Sequence, residues 1–158
     1  MIAFAENAIA SKPTPRATGL SGERPLMSVG AAAFVLSFRQ SRVEYAIENG
    51  KLPCFDIRLE SSRRTCLRLF SPAVGALKND AGFVTKLSLA EMIEAILPPG
   101  HQTFPQEILA WRFHTSGDHI ANLCDSRSLA EGGRRTDRGG RNISRASAAK
   151  FLAHRRVS

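Results

Sequence analysis

Two short stretches of the chain concentrate side chains that form strong, directional hydrogen bonds. Residues 39–45 contain two arginines, a glutamine, a serine and a tyrosine, and residues 134–141 contain four arginines and two glycines. A guanidinium group binds a phosphate or the edge of guanine through paired N–H bonds, and a glutamine amide binds the edge of adenine. These residue types favour non-covalent recognition of a nucleic acid.

The distribution of charge also indicates a polyanionic partner. The chain has 158 residues, a formal net charge of +8 and an isoelectric point of about 10.3. Residues 127–158 carry +7 of that charge, whereas residues 78–126 sum to −3. Positive charge that serves only solubility would be spread along the chain, whereas here it is concentrated at one end. We therefore expect a phosphate-rich partner.

Sequence patterns that carry catalysis are not present. The chain has no Gly-x-x-x-x-Gly-Lys-Ser/Thr loop, no His-Glu-x-x-His and no Gly-x-Ser-x-Gly. His114 and His119 stand five residues apart, which points them to different faces of a helix. The three cysteines include no Cys-x-x-Cys pair. We therefore expect a protein that is not an enzyme, with no catalytic residue, metal or cofactor.

Cysteine usage and hydropathy bear on the compartment. An odd number of cysteines without a disulfide framework fits a reducing environment. No apolar run approaches the roughly 20 residues that span a bilayer, and the first ten residues lack the basic start of a signal peptide. We expect a cytoplasmic protein, associated with the nucleoid and not with a membrane.

The pattern over residues 26–77 predicts a small domain. Residues 29–36 form a helix that Ser28 caps, and residues 40–49 form a second helix that ends at Gly50. Alternating runs at 54–59 and 65–70 predict a hairpin, and Ser71-Pro72 opens a short helix ending near Leu77. Helix, turn, helix, hairpin and short helix are typical of a winged helix-turn-helix.

Two other segments flank or follow this domain. Residues 1–25 contain three prolines and two glycines without a hydrophobic period, which predicts a disordered arm. Residues 78–103 predict a linker with one amphipathic helix, because Ser88 and Glu91 form a capping box and Pro98 ends the helix.

The core pattern of the first domain recurs 77 residues later. Seven apolar positions match in kind: Ala33 with Ala110, Phe34 with Trp111, Leu36 with Phe113, Val43 with Ile120, Ala46 with Leu123, Ile47 with Cys124 and Leu52 with Leu129. A basic hairpin over 131–142 and a closing helix over 144–152 follow. We predict a mainly α-helical protein with small β-hairpin wings, in which two winged helix-turn-helix modules, 26–77 and 104–158, are joined by a helical linker over 78–103.

Residues 31–53 resemble the excisionase and MerR-like winged helix-turn-helix family. The matching positions are Ser41, Val43, Gly50, Lys51, Leu52 and Pro53. Residues 107–129 are similar in weaker form, with Arg127 where the first copy has Gly50, and residues 140–152 resemble the family's wing and last helix. The family includes transcription regulators and recombination directionality factors, so the resemblance implies binding of double-stranded DNA.

The residues that we expect to contact DNA lie on two helices and two loops. The second helix of each module reads base edges, and the loops hold phosphate. We expect the first copy to supply more base readout and the second more electrostatic attraction. The candidates are Arg39, Gln40, Ser41, Arg42 and Tyr45 on the first helix, Arg63 and Arg64 on the first loop, His119 and Asn122 on the second helix, and Arg134, Arg135, Arg138 and Arg141 on the second loop.

Sequence-specific binding of double-stranded DNA by a transcriptional regulator is the function that we expect. An excisionase-type factor that bends DNA for a recombinase would use the same residues. An adaptor that contacts a recombinase or an RNA polymerase, or an RNA-binding protein with an arginine–glycine segment, are the further alternatives. No small-molecule cofactor is expected for any of them.

Overall fold

The computed structural model describes residues 23–157, so most of the predicted arm over 1–25 lies outside the described residues. Within this range the chain is a mixed α/β protein with seven helices and small antiparallel sheets. The elements are β1 (Leu26–Ser28), α1 (Val29–Leu36), α2 (Gln40–Glu48), β2 (Cys54–Asp56), β3 (Leu67–Phe70), α3 (Ser71–Asn79), α4 (Leu89–Ile96), β4 (Thr103–Pro105), α5 (Gln106–Arg112), α6 (Gly117–Asp125), β5 (Asn142–Ser144) and α7 (Arg145–His154).

Helix starts follow the capping residues that the sequence offers. The Ser28 hydroxyl accepts the Ala31 amide at 3.1 Å, and α1 has the predicted limits. Ser88 and Glu91 form the predicted capping box at α4, with bonds of 3.1 and 2.8 Å between side chains and backbone amides. Such caps satisfy amides that the first helical turn leaves without partners, and each contributes about 1 kcal/mol.

The two sheets have the same arrangement. In the first, β3 lies between β1 and β2, with Leu26 opposite Phe70 and Cys54 opposite Leu69. In the second, β5 pairs with β4 on one side and makes a single bridge from Ile143 to Glu131 on the other. Strands β1 and β4 were not predicted, because three residues are too short to show an alternating pattern.

The first hairpin is shorter than the predicted runs over 54–59 and 65–70. Beyond β2 the Asp56 carboxylate accepts the amides of Arg58 and Cys66, at 3.1 and 2.9 Å. A side-chain oxygen therefore takes donors that a continuing ladder would have given to carbonyl groups. The backbone pairing continues only to the Ile57 amide, which donates to the Cys66 carbonyl at 2.9 Å, and the chain then turns toward the exposed loop at residues 60–65.

The backbone repeats with the same spacing as the apolar pattern. Helices α2 and α6 are offset by 77 residues, and so are the left-handed residues that follow α1 and α5, Ser37 (φ 56°) and His114 (φ 53°). Gly50 and Arg127 end α2 and α6 with φ of 74° and 66°. Arg127 keeps the glycine's conformation at a cost of about 1 kcal/mol, so the sequence difference does not change the chain path.

Buried apolar side chains of the two repeats form one continuous cluster within residues 23–157. Helix α4, which lies in the predicted linker, packs on α7 and belongs to the second repeat. Arg145 fixes its end by donating to the Leu97 carbonyl at 2.8 Å, and Arg112 donates to the Ile96 carbonyl at 3.3 Å. Helix α4 of the segment between the repeats is therefore packed against the second repeat.

Hydrogen bonds also join the two repeats, in addition to the shared apolar cluster. Arg68 on β3 donates through Nε to the carbonyls of Phe113 and His114, at 3.1 and 2.9 Å. The C-terminal end of the described chain lies beside β2, where Phe55 bridges Arg156 and the Asp56 amide donates to the Arg155 carbonyl at 2.8 Å. The turn between α5 and α6 and the end of α7 thus rest on the first sheet.

Helix length bears on the membrane prediction. The longest helix in residues 23–157 is α7, with ten residues. In this part of the chain no helix combines the length and the apolar character that crossing a bilayer requires.

His114 makes the stability of this junction depend on pH. Burial and the nearby Arg24 and Arg68 guanidinium groups hold the pKa of His114 below its usual 6.5. As pH falls through 6.5, His114 becomes protonated in the unfolded chain but stays neutral in the folded protein. The stability that the neutral histidine contributes is complete above pH 6.5 and is lost as the pH falls toward the lower pKa of the folded state. We expect the urea-unfolding free energy to decrease as the pH is lowered from about 7 through 6.5 and below it.

The variant His114→Asn tests this expectation, because asparagine tolerates a left-handed backbone and does not titrate. Its decrease in unfolding free energy over the same pH range should be smaller than that of the unmodified protein. His101→Asn, at an exposed histidine, serves as the control. Equal pH dependence in the unmodified protein and the His114 variant would contradict the assignment.

Candidate nucleic-acid interface

Helix α2 presents a polar face to solvent. Val43, Ala46 and Ile47 are buried, and this three- and four-residue spacing leaves the opposite side of the helix outward. Ser41 and Tyr45 lie on that side together with the exposed Glu44 and Glu48, and Tyr45 is 66% exposed. The ring of a tyrosine is usually packed against other side chains. An exposed tyrosine among exposed polar groups is therefore typical of a contact surface.

A groove runs along one flank of α2, between this helix and the end of α3. It encloses about 300 Å³ and is lined by Leu36, Phe38, Arg42, Tyr45, Lys51, Leu77, Lys78 and Ala81. The Arg42 guanidinium lies 4.0 Å from the centre of the Phe38 ring, which holds this long side chain in one place. We call this feature the α2–α3 groove. It joins two predicted residues, Arg42 and Tyr45, to two cations that were not predicted.

Lys51 and Lys78 were missed because the sequence places them at the ends of separate elements. Lys51 follows the left-handed Gly50, and Lys78 lies in the last turn of α3. Both are exposed. A lysine near a helix C-terminus usually offsets the helix dipole, so its type and position gave no functional signal. Only the packing of α1 against α2 and α3 brings the two lysines to the same groove.

The first loop holds Arg63 and Arg64 outward. Its backbone is compact, since the Ser62 amide donates to the Leu59 carbonyl at 2.9 Å and the Ser62 hydroxyl accepts the Arg64 amide at 3.2 Å. Both arginines are exposed. A guanidinium on a short, internally bonded loop can meet a phosphate with little loss of backbone freedom.

The second loop is the predicted hairpin over 131–142. The Gly132 amide donates to the Asn142 carbonyl at 2.8 Å, and the Thr136 amide to the Gly140 carbonyl at 2.7 Å. A Cβ atom on Gly140 would lie 2.8 Å from the Thr136 hydroxyl, so the tight end of the hairpin needs a residue without a side chain.

Three arginines of this hairpin are exposed: Arg134, Arg135 and Arg138. Arg135 pairs with Glu131 at 3.2 Å in an exposed ion pair. Such pairs contribute only about 0–1 kcal/mol, so Arg135 can exchange this partner for a phosphate.

Helix α6 differs from α2 in what surrounds it. His119 Nε2 lies 2.6 Å from the Ile57 carbonyl of the first repeat. On the other flank Arg141 donates to the Asp125 carboxylate at 2.9 Å and to the Ala121 carbonyl at 3.1 Å. These contacts hold both side chains within the protein, and we remove His119 and Arg141 from the predicted DNA contacts. The sequence did not indicate this, because the partners of His119 and Arg141 lie in other elements of the fold, far away along the chain.

Asn122 remains exposed on α6, but its surroundings are unfavourable for an anion. Asp118 and Asp125, one turn before and after it on the same side, are also exposed. Carboxylates repel phosphate groups. Helix α2 also exposes Glu44 and Glu48, but Arg42 and Lys51 lie beside it in the α2–α3 groove, whereas His119 and Ser128 stand at the matching positions beside α6. The face of α6 is therefore the poorer surface for nucleic acid. The structure thus places most of the usable polar and cationic groups on α2, its groove and the two loops.

Burial affects the thiols of two cysteines, Cys54 and Cys124. Burial raises the pKa of Cys54 to about 12, so its thiol stays protonated and is a poor nucleophile. Burial also raises the pKa of Cys124. Residues 23–157 gather no group of three or more His, Cys, Asp or Glu side chains that could hold a metal ion.

Comparison with known proteins adds no relative to this description. No family model, no curated protein and no solved structure matches the chain.

Proposed function

We propose that the chain binds double-stranded DNA in a sequence-specific manner, with α2 in the major groove. The observation that carries the proposal is the exposed surface of α2, with Ser41 and Tyr45 on its outward face and Gln40 exposed in its first turn, beside the cations of the α2–α3 groove. Amide and hydroxyl groups can form hydrogen bonds with base edges in the major groove of DNA. Cations beside them can bind the phosphates on either side of that major groove.

The element order supports a winged helix-turn-helix for each repeat. Helix α1, the left-handed Ser37 and helix α2 form a helix pair, and β2 and β3 form the hairpin that would act as its wing. The second repeat has the same order with α5, α6 and the hairpin over 131–142. We propose a tandem of two such modules that share one hydrophobic core and do not fold as independent domains.

The two repeats divide the work in this proposal. The first reads sequence through α2 with Arg39 at its start, and Arg63 and Arg64 contact the backbone. The second contributes charge through Arg134, Arg135 and Arg138, while the acidic face of α6 stays away from DNA. Phosphate contacts from several points fix the register of the reading helix, which is the usual arrangement in DNA-binding proteins.

Transcriptional regulation is the biological role that we propose. An excision factor that bends DNA for a recombinase would use the same surface, and genome-wide mapping of binding sites separates the two. Sites at many promoters support a regulator, whereas one cluster at an integration junction supports the excision factor.

Substitution of Gln40 tests the reading helix. A preferred duplex is first selected from a random library, and binding is then measured by fluorescence anisotropy. We expect Gln40→Ala to weaken binding to the selected duplex by about 10-fold, because a bidentate contact to a base contributes about 1–3 kcal/mol. Binding to an unrelated duplex should stay nearly the same, since phosphate contacts are retained.

Gln102→Ala provides the matched control, because Gln102 is exposed on the chain that leads into β4. It should leave both affinities unchanged. An equal loss on the selected and the unrelated duplex in the Gln40 variant would remove α2 from the reading role. Absence of any salt-sensitive binding to DNA in the unmodified protein would end the proposal.

A further inference from the structure

The second repeat shows what the groove beside the reading helix can hold. There the segment 54–58 of the first repeat lies against the end of α7 and against α6. The Arg155 guanidinium donates to the carbonyls of Asp56 and Arg58, at 3.0 and 2.6 Å, and His119 contacts the carbonyl of Ile57. An extended piece of chain is thus bound by groups from the last helix and the second helix of the repeat.

The same place in the first repeat is the α2–α3 groove. The offset of 77 residues sets Arg42 at the position of His119, and Leu36 and Tyr45 at the positions of Phe113 and Asn122. In residues 23–157 no extended segment fills this groove, which keeps its volume of about 300 Å³. One repeat therefore has a filled groove and the other an open one.

The open groove has a different charge from the filled one. Lys51 stands where the second repeat has Ser128, and Lys78 stands where α7, aligned from its first residue with that of α3, has Leu152. With Arg42 in place of His119, three cations surround the groove. Its inner wall is apolar, since Leu36 and Leu77 are buried and Phe38 lies under Arg42.

We propose that the α2–α3 groove binds an extended acidic segment of a partner protein, with an apolar residue between carboxylates. The apolar residue contacts Leu36, Phe38 and Leu77, and the carboxylates pair with Arg42, Lys51 and Lys78. A phosphate backbone would satisfy the cations but would leave the apolar wall without a partner. The matching groove in the second repeat already holds a protein segment, which also favours a peptide.

Occupation of this groove covers Arg42 and Tyr45 and therefore competes with DNA. This second statement rests on the proposed function, because it assumes that α2 reads DNA. An acidic partner would then act as a regulator that releases the protein from its site. Binding of the peptide itself does not depend on that assumption.

A synthetic peptide tests the groove directly. The probe acetyl-Glu-Phe-Asp-Ile-Asp-Leu-Glu-amide follows the apolar pattern of residues 54–60 and adds carboxylates, and its control has lysine at each acidic position. Tyr45 is the only tyrosine of the chain, so incorporation of fluorotyrosine gives one fluorine NMR signal at the groove. We expect the acidic peptide to shift this signal in a saturable way and the lysine peptide to leave it unchanged.

Charge reversal then identifies the cations. The double variant Lys51→Glu, Lys78→Glu should bind the acidic peptide with an affinity lower by at least about tenfold, since two attractive charge pairs become repulsive. The double variant Lys86→Glu, Lys150→Glu has the same net charge, lies at exposed positions outside the groove and should bind as the unmodified protein does. Thermal unfolding of both variants verifies that they fold.

Three results would overturn the peptide site: no saturable shift, an equal shift with the lysine peptide, or equal weakening in the two double variants. The competition is tested by adding the acidic peptide to a complex with labelled duplex. Release of the duplex supports it, and a stable ternary complex overturns it. If no duplex binds at all, the proposed function fails, and the NMR titration still decides whether the groove takes the peptide.

Discussion

Replacing Arg68 with Met should lower the free energy of unfolding by about 3 kcal/mol. Arg68 Nε donates to the carbonyls of Phe113 and His114 in the second repeat, and its Nη1 donates to the Leu67 carbonyl. Methionine keeps much of the aliphatic stem but offers no donor. The substitution therefore leaves two carbonyls of the α5–α6 turn without this charged partner at a half-buried junction, and such groups are expensive to leave unpaired.

Urea unfolding followed by two signals measures this effect. Trp111 is the only tryptophan and reports on the second repeat, while far-ultraviolet circular dichroism reports on helices of both. The shared core predicts that the two signals change together in the unmodified protein, because neither repeat can unfold without exposing part of the common cluster. In the Arg68 variant we expect a lower midpoint and retained coincidence.

Arg63→Met is the matched control. Arg63 is exposed on the first loop, so the same chemical change should alter the unfolding free energy by less than about 0.5 kcal/mol. Equal effects of the two substitutions would show that the contact between β3 and the α5–α6 turn contributes little. Separate transitions for the two signals in the unmodified protein would show that the repeats fold independently.

The sequence predicted those features that depend on neighbours along the chain. Ser28 caps α1, Ser88 and Glu91 form a capping box, and Gly50 ends α2 in a left-handed conformation. Each requires residues within one or two helical turns, so their types and spacing are sufficient to identify them. The apolar repeat with its offset of 77 residues is likewise visible in sequence, and the backbone follows it at Ser37 and His114.

Contacts between distant parts of the chain could not be predicted in this way. Strands β1 and β4 form only by pairing with residues about 40 positions away, and nothing within three residues marks them. His119 and Arg141 have the side chains of DNA-contacting residues, yet they bind a carbonyl of the other repeat and a carboxylate of α6. Residue type shows what a side chain can bind but leaves its actual partner open.

The same limit explains why the shared core was not predicted. The repeat pattern suggested two modules with a linker, because each half contains enough apolar positions for a small core. The junction is made by arginines on backbone carbonyls and by the end of α7 beside β2. Carbonyl groups are present at every residue, so a pattern of side chains carries no information about which of them will accept.

Removal of three arginines from the second loop should weaken binding to every duplex. For the variant Arg134→Ala, Arg135→Ala, Arg138→Ala we expect a loss of about 5- to 150-fold at moderate salt, since one to three phosphate contacts of roughly 1 kcal/mol each are removed. The slope of log affinity against log salt should become shallower by up to about 2.7, because up to three phosphate contacts and their released counterions are lost.

The matching lysine variant, Arg134→Lys, Arg135→Lys, Arg138→Lys, separates charge from geometry. Lysine retains the positive charge but not the fork of donors, so the salt slope should stay close to that of the unmodified protein. Anisotropy titrations at several salt concentrations, with a selected and an unrelated duplex, give both quantities. Because α2 is untouched, the ratio of the two affinities should remain unchanged in the alanine variant. Loss of that ratio with an unaltered salt slope would mean that the hairpin reads sequence, and the division of work between the repeats would be reversed.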